Sequence, residues 1–248
     1  MLNKRSQSNC CVDIHCHILP GLDDGSKDME ETLQMLKHAQ EQGIIHIIAT
    51  PHHKAGRRNA SPQTIKKRMD DVRIAAEERD IHVKLYPGSE ILFYSDLENV
   101  LEKNIVQTLN NTEYMLVEFL PGNEYTYIRN AVSEIQGMGY TPILAHVERY
   151  DCLLKHTKYV KELHDMGVGI QVNAASVTGK LGGTCRQFVH ELLKKEIVDY
   201  VATDAHDCHK RMPDIEKCRK ILNRKYGESY TNRILYENAY VRLLKGNT

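Results

Sequence analysis

Short apolar runs alternate with longer amphipathic stretches seven times between Val12 and about Ala202, and no other feature constrains the fold so tightly. A run of four to six such residues is too short for a helix and suits a buried strand, whereas the intervening segments repeat their apolar positions at helical spacing. Repeated strand and helix units close on a parallel sheet, because each crossover helix must cover the sheet it has just left. The expected strands lie at residues 12–15, 44–49, 82–86, 114–119, 142–146, 168–172 and 198–203.

Helix ends are marked in the sequence as well. Ser61-Pro62 supplies an N-cap with proline in the first turn, followed by Ile65, Met69, Val72 and Ala76 on one face. Another helix carries Met29, Leu33, Leu36 and Ala39, begins after Asp28 and stops at Gly43. Others are expected at 127–138, 159–166 and 184–195, and two more, 214–225 and 228–244, follow the last strand. No linker or repeat divides the chain, so 12–248 reads as one domain behind a flexible extension of residues 1–11. No glycine-rich phosphate turn opens any helix. An α/β barrel one strand short of eight, a distorted (β/α)7 TIM-like barrel, therefore fits better than an open doubly wound sheet.

Charge and cysteine content exclude several classes. Lys plus Arg (33) equals Asp plus Glu (33), so no overall positive field holds nucleic acid or anionic lipid, and any anion site must be local. No apolar stretch is long enough for membrane insertion, and the polar opening lacks a secretory signal, so a cytoplasmic location is expected. The 7 cysteines form no C-x-x-C pair and are expected to be reduced. Cys218 and Arg224 have the C-x5-R spacing of cysteine-dependent phosphatases. The residues between them contain no glycine, and Ile215, Cys218 and Leu222 fall at helical spacing, which points to a helix wall instead of a phosphate loop.

The chemistry lies at the ends of the apolar runs. His15-Cys16-His17 follows the first, Pro51-His52-His53 the second and Gly88-Ser89-Glu90 the third. Glu118, His146 and Asp204-Ala205-His206 end the fourth, fifth and seventh. In a parallel barrel all strands finish at one rim, so these groups converge although nearly the whole chain separates them. Residues two apart on a strand face the same way, which pairs His15 with His17 and Asp204 with His206. Such a gathering of carboxylates and imidazoles costs several kcal/mol unless cations neutralise it.

Asp13-Ile14-His15-Cys16-His17-Ile18-Leu19-Pro20 with Asp23-Asp24-Gly25, Ala49-Thr50-Pro51-His52-His53, Gly88-Ser89-Glu90-Ile91, Val117-Glu118-Phe119, Ala145-His146-Val147-Glu148-Arg149-Tyr150 and Thr203-Asp204-Ala205-His206 together resemble the polymerase and histidinol phosphatase (PHP) superfamily. The resemblance is to its branch of bacterial manganese-dependent protein-tyrosine phosphatases of capsule and exopolysaccharide synthesis. It implies the PHP fold and three metal ions, with His15, His17, Glu90 and Asp204 around the first. Glu90 would bridge to a second ion completed by Glu118 and His146, and Asp24, His52 and His206 would hold a third. A nitrogen and oxygen donor set suits Mn²⁺, with Fe or Zn²⁺ able to substitute. The resemblance also implies catalytic roles for Arg149, Arg211, Asp204 and His206, the arginines gripping phosphoryl oxygens. Asp13 is not counted as a ligand but as support for one, and His53 is expected to point away.

The activity so implied is hydrolysis of phosphotyrosine on a protein, the partner being a membrane-associated bacterial tyrosine kinase, with neither nucleic acid nor membrane insertion involved. A small-molecule phosphatase of the same superfamily, such as histidinol-phosphatase, is the alternative, and a non-catalytic metal-binding module is a second. The basic segment 53–60, just beyond the second rim position, could meet an acidic or phosphorylated tail.

Overall fold

The computed structural model describes residues 10–246. Nine short strand segments, all paired in parallel, make up seven strands: β1 (Cys11–Cys16), β2 (Ile44–Ala49) continued by β3 (His52–His53), β4 (Lys84–Pro87) continued by β5 (Glu90–Leu92), β6 (Tyr114–Glu118), β7 (Thr141–Leu144), β8 (Gly169–Asn173) and β9 (Tyr200–Ala202). The order β1-β2-β4 runs on through β3-β5-β6-β7-β8-β9. Beyond β9 the chain returns to β1: His17 N–H donates to the Ala205 carbonyl at 2.8 Å and Asp204 N–H to that of His15 at 2.8 Å. The sheet thus curls into the expected seven-stranded barrel.

The second and third strands are interrupted at the same level. Pro51 has no N–H to give the ladder, and Gly88 sits where a Cβ would lie 2.8 Å from Ile48 Cγ2 and 3.0 Å from Leu109 Cδ2. The break lets both strands bend and re-aim His52 and Glu90.

Helices cover the outer face. Leu33, Leu36, Ile65, Val72, Ile128, Ile135, Leu163 and Leu192 form one buried cluster with Ile47, Ala49, Val117, Leu144, Ile170 and Val201 of the sheet. The opposite side chains, Val12, Ile14, Ile48, Leu116, Ile143 and Ala202, fill the inside of the curl and are closed off by Ala239, Leu243 and Leu244. The caps behave as the sequence suggests, with Asp28 accepting from Glu31 N–H at 2.9 Å and Ser61 from Thr64 N–H at 3.2 Å.

Several details differ from expectation. The third strand starts at Lys84 instead of residue 82 and, past the break at Gly88, resumes at Glu90–Leu92, so it reaches further toward the rim than the expected 82–86. Two short helices, Leu97–Glu102 and Ala174–Thr178, appear where none was foreseen. The last helix, begun at Glu228, continues to Leu244 through two wide turns. Of the expected extension 1–11, residues 1–9 lie outside the described residues. Cys11 is instead the first residue of β1 and 1% exposed, and the Cys10 carbonyl accepts from Arg219 at 3.2 Å. Cys218 is buried on the helix Glu216–Tyr226, as the spacing predicts. Among the described residues no helix is long and apolar enough to cross a membrane.

Candidate metal centre

Each strand end places its polar residues at one rim. On β1 the register slips by one residue between Asp13 and Cys16. This bulge lets Ile14 stay in the interior while Cys16 turns toward the helices and His15 and His17 face the centre. Simple alternation along the strand would not have given that arrangement. His146 and Asp204 both adopt left-handed backbone conformations, with φ of 35° and 54°. A positive φ is uncommon outside glycine, although aspartate and histidine tolerate it better than most residues, and two such turns at one rim mark positions fixed by what their side chains must reach.

All nine histidines and carboxylates singled out in the sequence come together in overlapping groups. These are His15, His17 and Asp204; His15, Glu90 and His146; His52, Glu90 and Glu118; and His17, Asp24, His52 and His206, the candidate donor atoms within each group lying within 4.8 Å of one another. The partition differs slightly from the one the resemblance implies, since His17 also faces the Asp24 side and His15 also meets His146. His15 Nε2 is 3.2 Å from Glu90 Oε1 and 3.4 Å from Asp204 Oδ1, and Glu90 Oε1 is 2.8 Å from His146 Nε2. His52 turns Nδ1 to Glu90 at 3.0 Å and Glu118 at 3.3 Å, and Nε2 to Asp24 at 3.3 Å. Asp24 is the exposed member; His15, His17, Glu90, His146, Asp204 and His206 are buried.

Two observations fit this donor set to cations. His15 Nδ1 donates to the Gln171 amide oxygen at 3.2 Å and His17 Nδ1 to Asp23 at 2.7 Å, so the two Nε2 atoms confront each other across 3.2 Å. Lone pairs so placed repel unless a cation or a proton lies between them. In addition, His52 Nδ1 and Glu118 Oε1 are buried 3.3 Å apart, yet neither has a hydrogen-bond partner. Buried polar atoms held only by charge, without an aligned hydrogen bond, are costly in a metal-free interior and natural for ligands.

The titration behaviour follows from the same crowding. Burial favours the neutral imidazole of His17, but Asp23 and Glu90 outweigh it and push its pKa up to about 10. His52 is likewise desolvated, yet Glu118 and Glu90 raise it to about 9. His206 goes the other way, to about 3, through burial and the nearby His17 and Arg211 charges. Burial opposes ionisation of Glu90 and Asp204 too; His15 and, at Asp204, Arg149 nevertheless hold both carboxyls well below the usual range. Negative charge is therefore retained at the centre and drawn toward whatever positive charge is near.

Arg149 and Arg211 meet on Asp204, at 2.6 Å from Oδ2 and 2.8 Å from Oδ1, each about one-third to two-fifths exposed. Their outer faces line a cavity of about 830 Å³ that opens beside Asp204. Asp13 accepts from Thr203 N–H at 3.0 Å and binds its hydroxyl, and burial lifts its carboxyl to about 6. It joins the first strand to the last instead of facing the centre. His53 points away to the Tyr94 hydroxyl at 3.3 Å.

Sequence reasoning assigned nothing to the sixth strand, yet β8 supplies the frame of the site. Gln171 accepts from His15 Nδ1–H and from His146 N–H, and donates to Asn173 Oδ1 at 2.9 Å; Asn173 in turn donates to Asp204 Oδ2 at 2.9 Å. Buried Glu148 accepts from Asn173 N–H at 2.9 Å and from the Ser176 hydroxyl at 2.6 Å. The available signal was Gln171-Val172-Asn173 itself: two amides two apart within an apolar run. Asp23, which the sequence offers only within the Asp23-Asp24-Gly25 motif, clamps both His17 and the His52 N–H, the latter at 2.9 Å.

Residues 11–244 match the family described as capsular polysaccharide synthesis, CpsB/CapC. The tyrosine-protein phosphatase YwqE of Bacillus subtilis (strain 168) is 32% identical over 237 residues, covering 96% of this chain and 92% of the relative. The tyrosine-protein phosphatase CpsB of Streptococcus pneumoniae is 33% identical over 232 residues, covering 92% and 96%. A crystal structure from a study of YwqE from Bacillus subtilis and CpsB from Streptococcus pneumoniae, described as unique metal-dependent tyrosine phosphatases, superposes with a TM-score of 0.88 at 30% identity, covering 96% of this chain and 95% of that one. The chain belongs to the CpsB/CapC family.

Proposed function

We propose that this CpsB/CapC family member is a metal-dependent phosphoesterase that removes phosphate from tyrosine on a protein substrate, with residues 12–248 acting as one domain. The single observation that carries the reading is the convergence of nine metal-capable side chains at one rim, with two arginines joined on one of them. The relatives named tyrosine-protein phosphatase support the substrate class. The family description supports a capsule or exopolysaccharide role, and the partner proposed with it, from the resemblance alone, is the tail of a membrane-associated bacterial tyrosine kinase.

His15, His17, Glu90 and Asp204 would hold one cation, Glu90, Glu118 and His146 a second, and Asp24, His52 and His206 a third. Mn²⁺ is the ion the resemblance implies, and the nitrogen and oxygen donors suit it, with Fe or Zn²⁺ able to substitute. When bound, such ions neutralise phosphoryl charge and bring the acidity of water toward neutral pH. The chain's own residues do the rest. Gln171 and Asp23 fix the tautomers of His15 and His17, leaving each Nε2 lone pair toward the centre. Arg149 and Arg211 offer planar N–H donors to phosphoryl oxygens, and Asp204 keeps both guanidinium groups in place. The leaving tyrosinate has a conjugate acid of pKa about 10, so the site needs no strong general acid.

Cysteine chemistry is disfavoured by the thiols themselves: burial raises every one of them, Cys11 to about 12. Metal analysis of the purified protein joined to a phosphate-release panel tests the reading. Chelation should abolish release from a phosphotyrosine peptide, Mn²⁺ should restore it, and a thiol alkylator should leave it largely intact. Full activity after thorough metal removal, or faster turnover of histidinol phosphate than of the peptide, refutes it.

A further inference from the structure

The cavity beside Asp204 is larger than one phosphorylated ring requires, and its volume of about 830 Å³ lies at the upper end of small-ligand sites. At one end Arg149 and Arg211 connect it to the metal centre through Asp204. Ala174, Ala175 and Met212 give it an apolar wall, extended by Leu181, which is 41% exposed.

Its charges are unevenly balanced. Two of its acids are already paired, Asp214 with Lys180 at 2.6 Å and His38 at 2.8 Å, and Glu216 with Lys220 at 2.5 Å. Lys210 and Lys217 also line the cavity; both are exposed, and neither makes an ion pair among the described residues. The cavity therefore offers cations at its inner end, an apolar wall, and two uncompensated ammonium groups toward solvent. A ligand that complements this sequence carries an anion, then an apolar body, then a second anion.

We propose that this cavity is a peptide subsite, in which Lys210 and Lys217 select substrates bearing an acidic residue next to the phosphorylated tyrosine. The inference rests on the phosphatase reading above and goes beyond it by assigning the cavity a part in choosing among phosphopeptides. The aromatic ring and the neighbouring backbone lie along Ala174, Ala175 and Met212, while the acidic side chain reaches the lysines. Exposed pairs of this kind are individually weak and salt-sensitive, so the selection is modest and fades as ionic strength rises.

The test compares two phosphotyrosine peptides that differ only in flanking glutamate against glutamine, given to the metal-loaded full chain. Wild type should favour the glutamate peptide in kcat/KM by about fivefold at low ionic strength, less at high salt. The double variant Lys210→Glu with Lys217→Glu should bring that ratio to one or below and improve a lysine-flanked peptide. Because the readout is a ratio, any general loss of turnover cancels. Arg57→Glu with Arg58→Glu, in the basic loop at the second rim position, should leave the ratio as in wild type. A wild-type ratio of one, an unchanged ratio in the lysine variant, or loss of the ratio only in the arginine variant overturns the subsite. The same ratios measured as binding, using non-hydrolysable phosphonate peptides, decide the matter without turnover. Wild type that hydrolyses no phosphate monoester would refute the phosphatase reading, while the binding ratios still judge the subsite.

Discussion

At the rim, His15, Glu90, His146 and Asp204 are between 0% and 3% exposed and face one another; at the opposite end Leu243 and Leu244, at 1% and 0%, press on Val12, Ile48 and Leu109. The two ends are equally buried and energetically opposite. Desolvating leucines stabilises the barrel, whereas desolvating carboxylates and imidazoles costs free energy that only partners or cations return. Burial by itself does not distinguish core from site; what the buried atoms find there does.

The comparison can be broken most forcefully at the rim. Asp204→Ala or His146→Ala should lower kcat/KM by roughly a thousandfold or more in metal-supplemented assays, while the thermal midpoint in excess chelator stays close to wild type. Near-normal turnover would remove these residues from the mechanism. Leu243→Ala should do the converse, costing about 2–5 kcal/mol in denaturant unfolding while leaving metal content per folded molecule unchanged. A loss of metal with no loss of stability would show that the two ends are not separable.

Gln171→Leu probes the frame between them. It removes the acceptor for His15 Nδ1–H and His146 N–H, and should weaken metal affinity about 10- to 100-fold in a competitive chelator titration. Unaltered affinity would make the β8 amides mere packing.

The smallest effect belongs to His46, at the apolar end. Its Nδ1 lies 3.0 Å from the Tyr86 hydroxyl, the rings of Tyr236 and Tyr240 lie tilted against it, and burial together with Lys84 lowers its pKa to about 4. The folded state thus binds the proton less readily than the unfolded chain, whose histidine titrates near 6.5. The stabilisation is complete above about 6.5 and is lost as pH falls through about 4. Relative to wild type, His46→Gln should flatten the fall in unfolding free energy between those limits, and parallel curves would exclude the assignment.

Much of this arrangement was legible in the chain. Apolar runs announced the seven strands, and the residues directly after them announced the rim, because a parallel barrel turns position along the sequence into position in space. What could not be read were features set by tertiary contact. The bulge near Ile14 and His15 depends on pairing with β2, and the left-handed turns at His146 and Asp204 depend on the centre they serve. Gln171 and Asn173 escaped notice because a polar residue within a strand gains meaning only from its neighbours across the barrel. The helix Leu97–Glu102 is too short for periodicity to reveal.

The hydrogen bonds from Thr203 to Asp13 join residues 190 positions apart. A chain emerging from the ribosome must therefore hold its first strand without its final neighbour until the intervening residues have been synthesised, and pairing over such a separation is slow. His15 and His17 are made well before Asp204 and His206, which they meet only when the last strand closes on the first. A cation centre that draws on all four could thus fill only late in the life of the molecule, and a chain cut before the seventh strand would lack the seam together with Asp204 and His206.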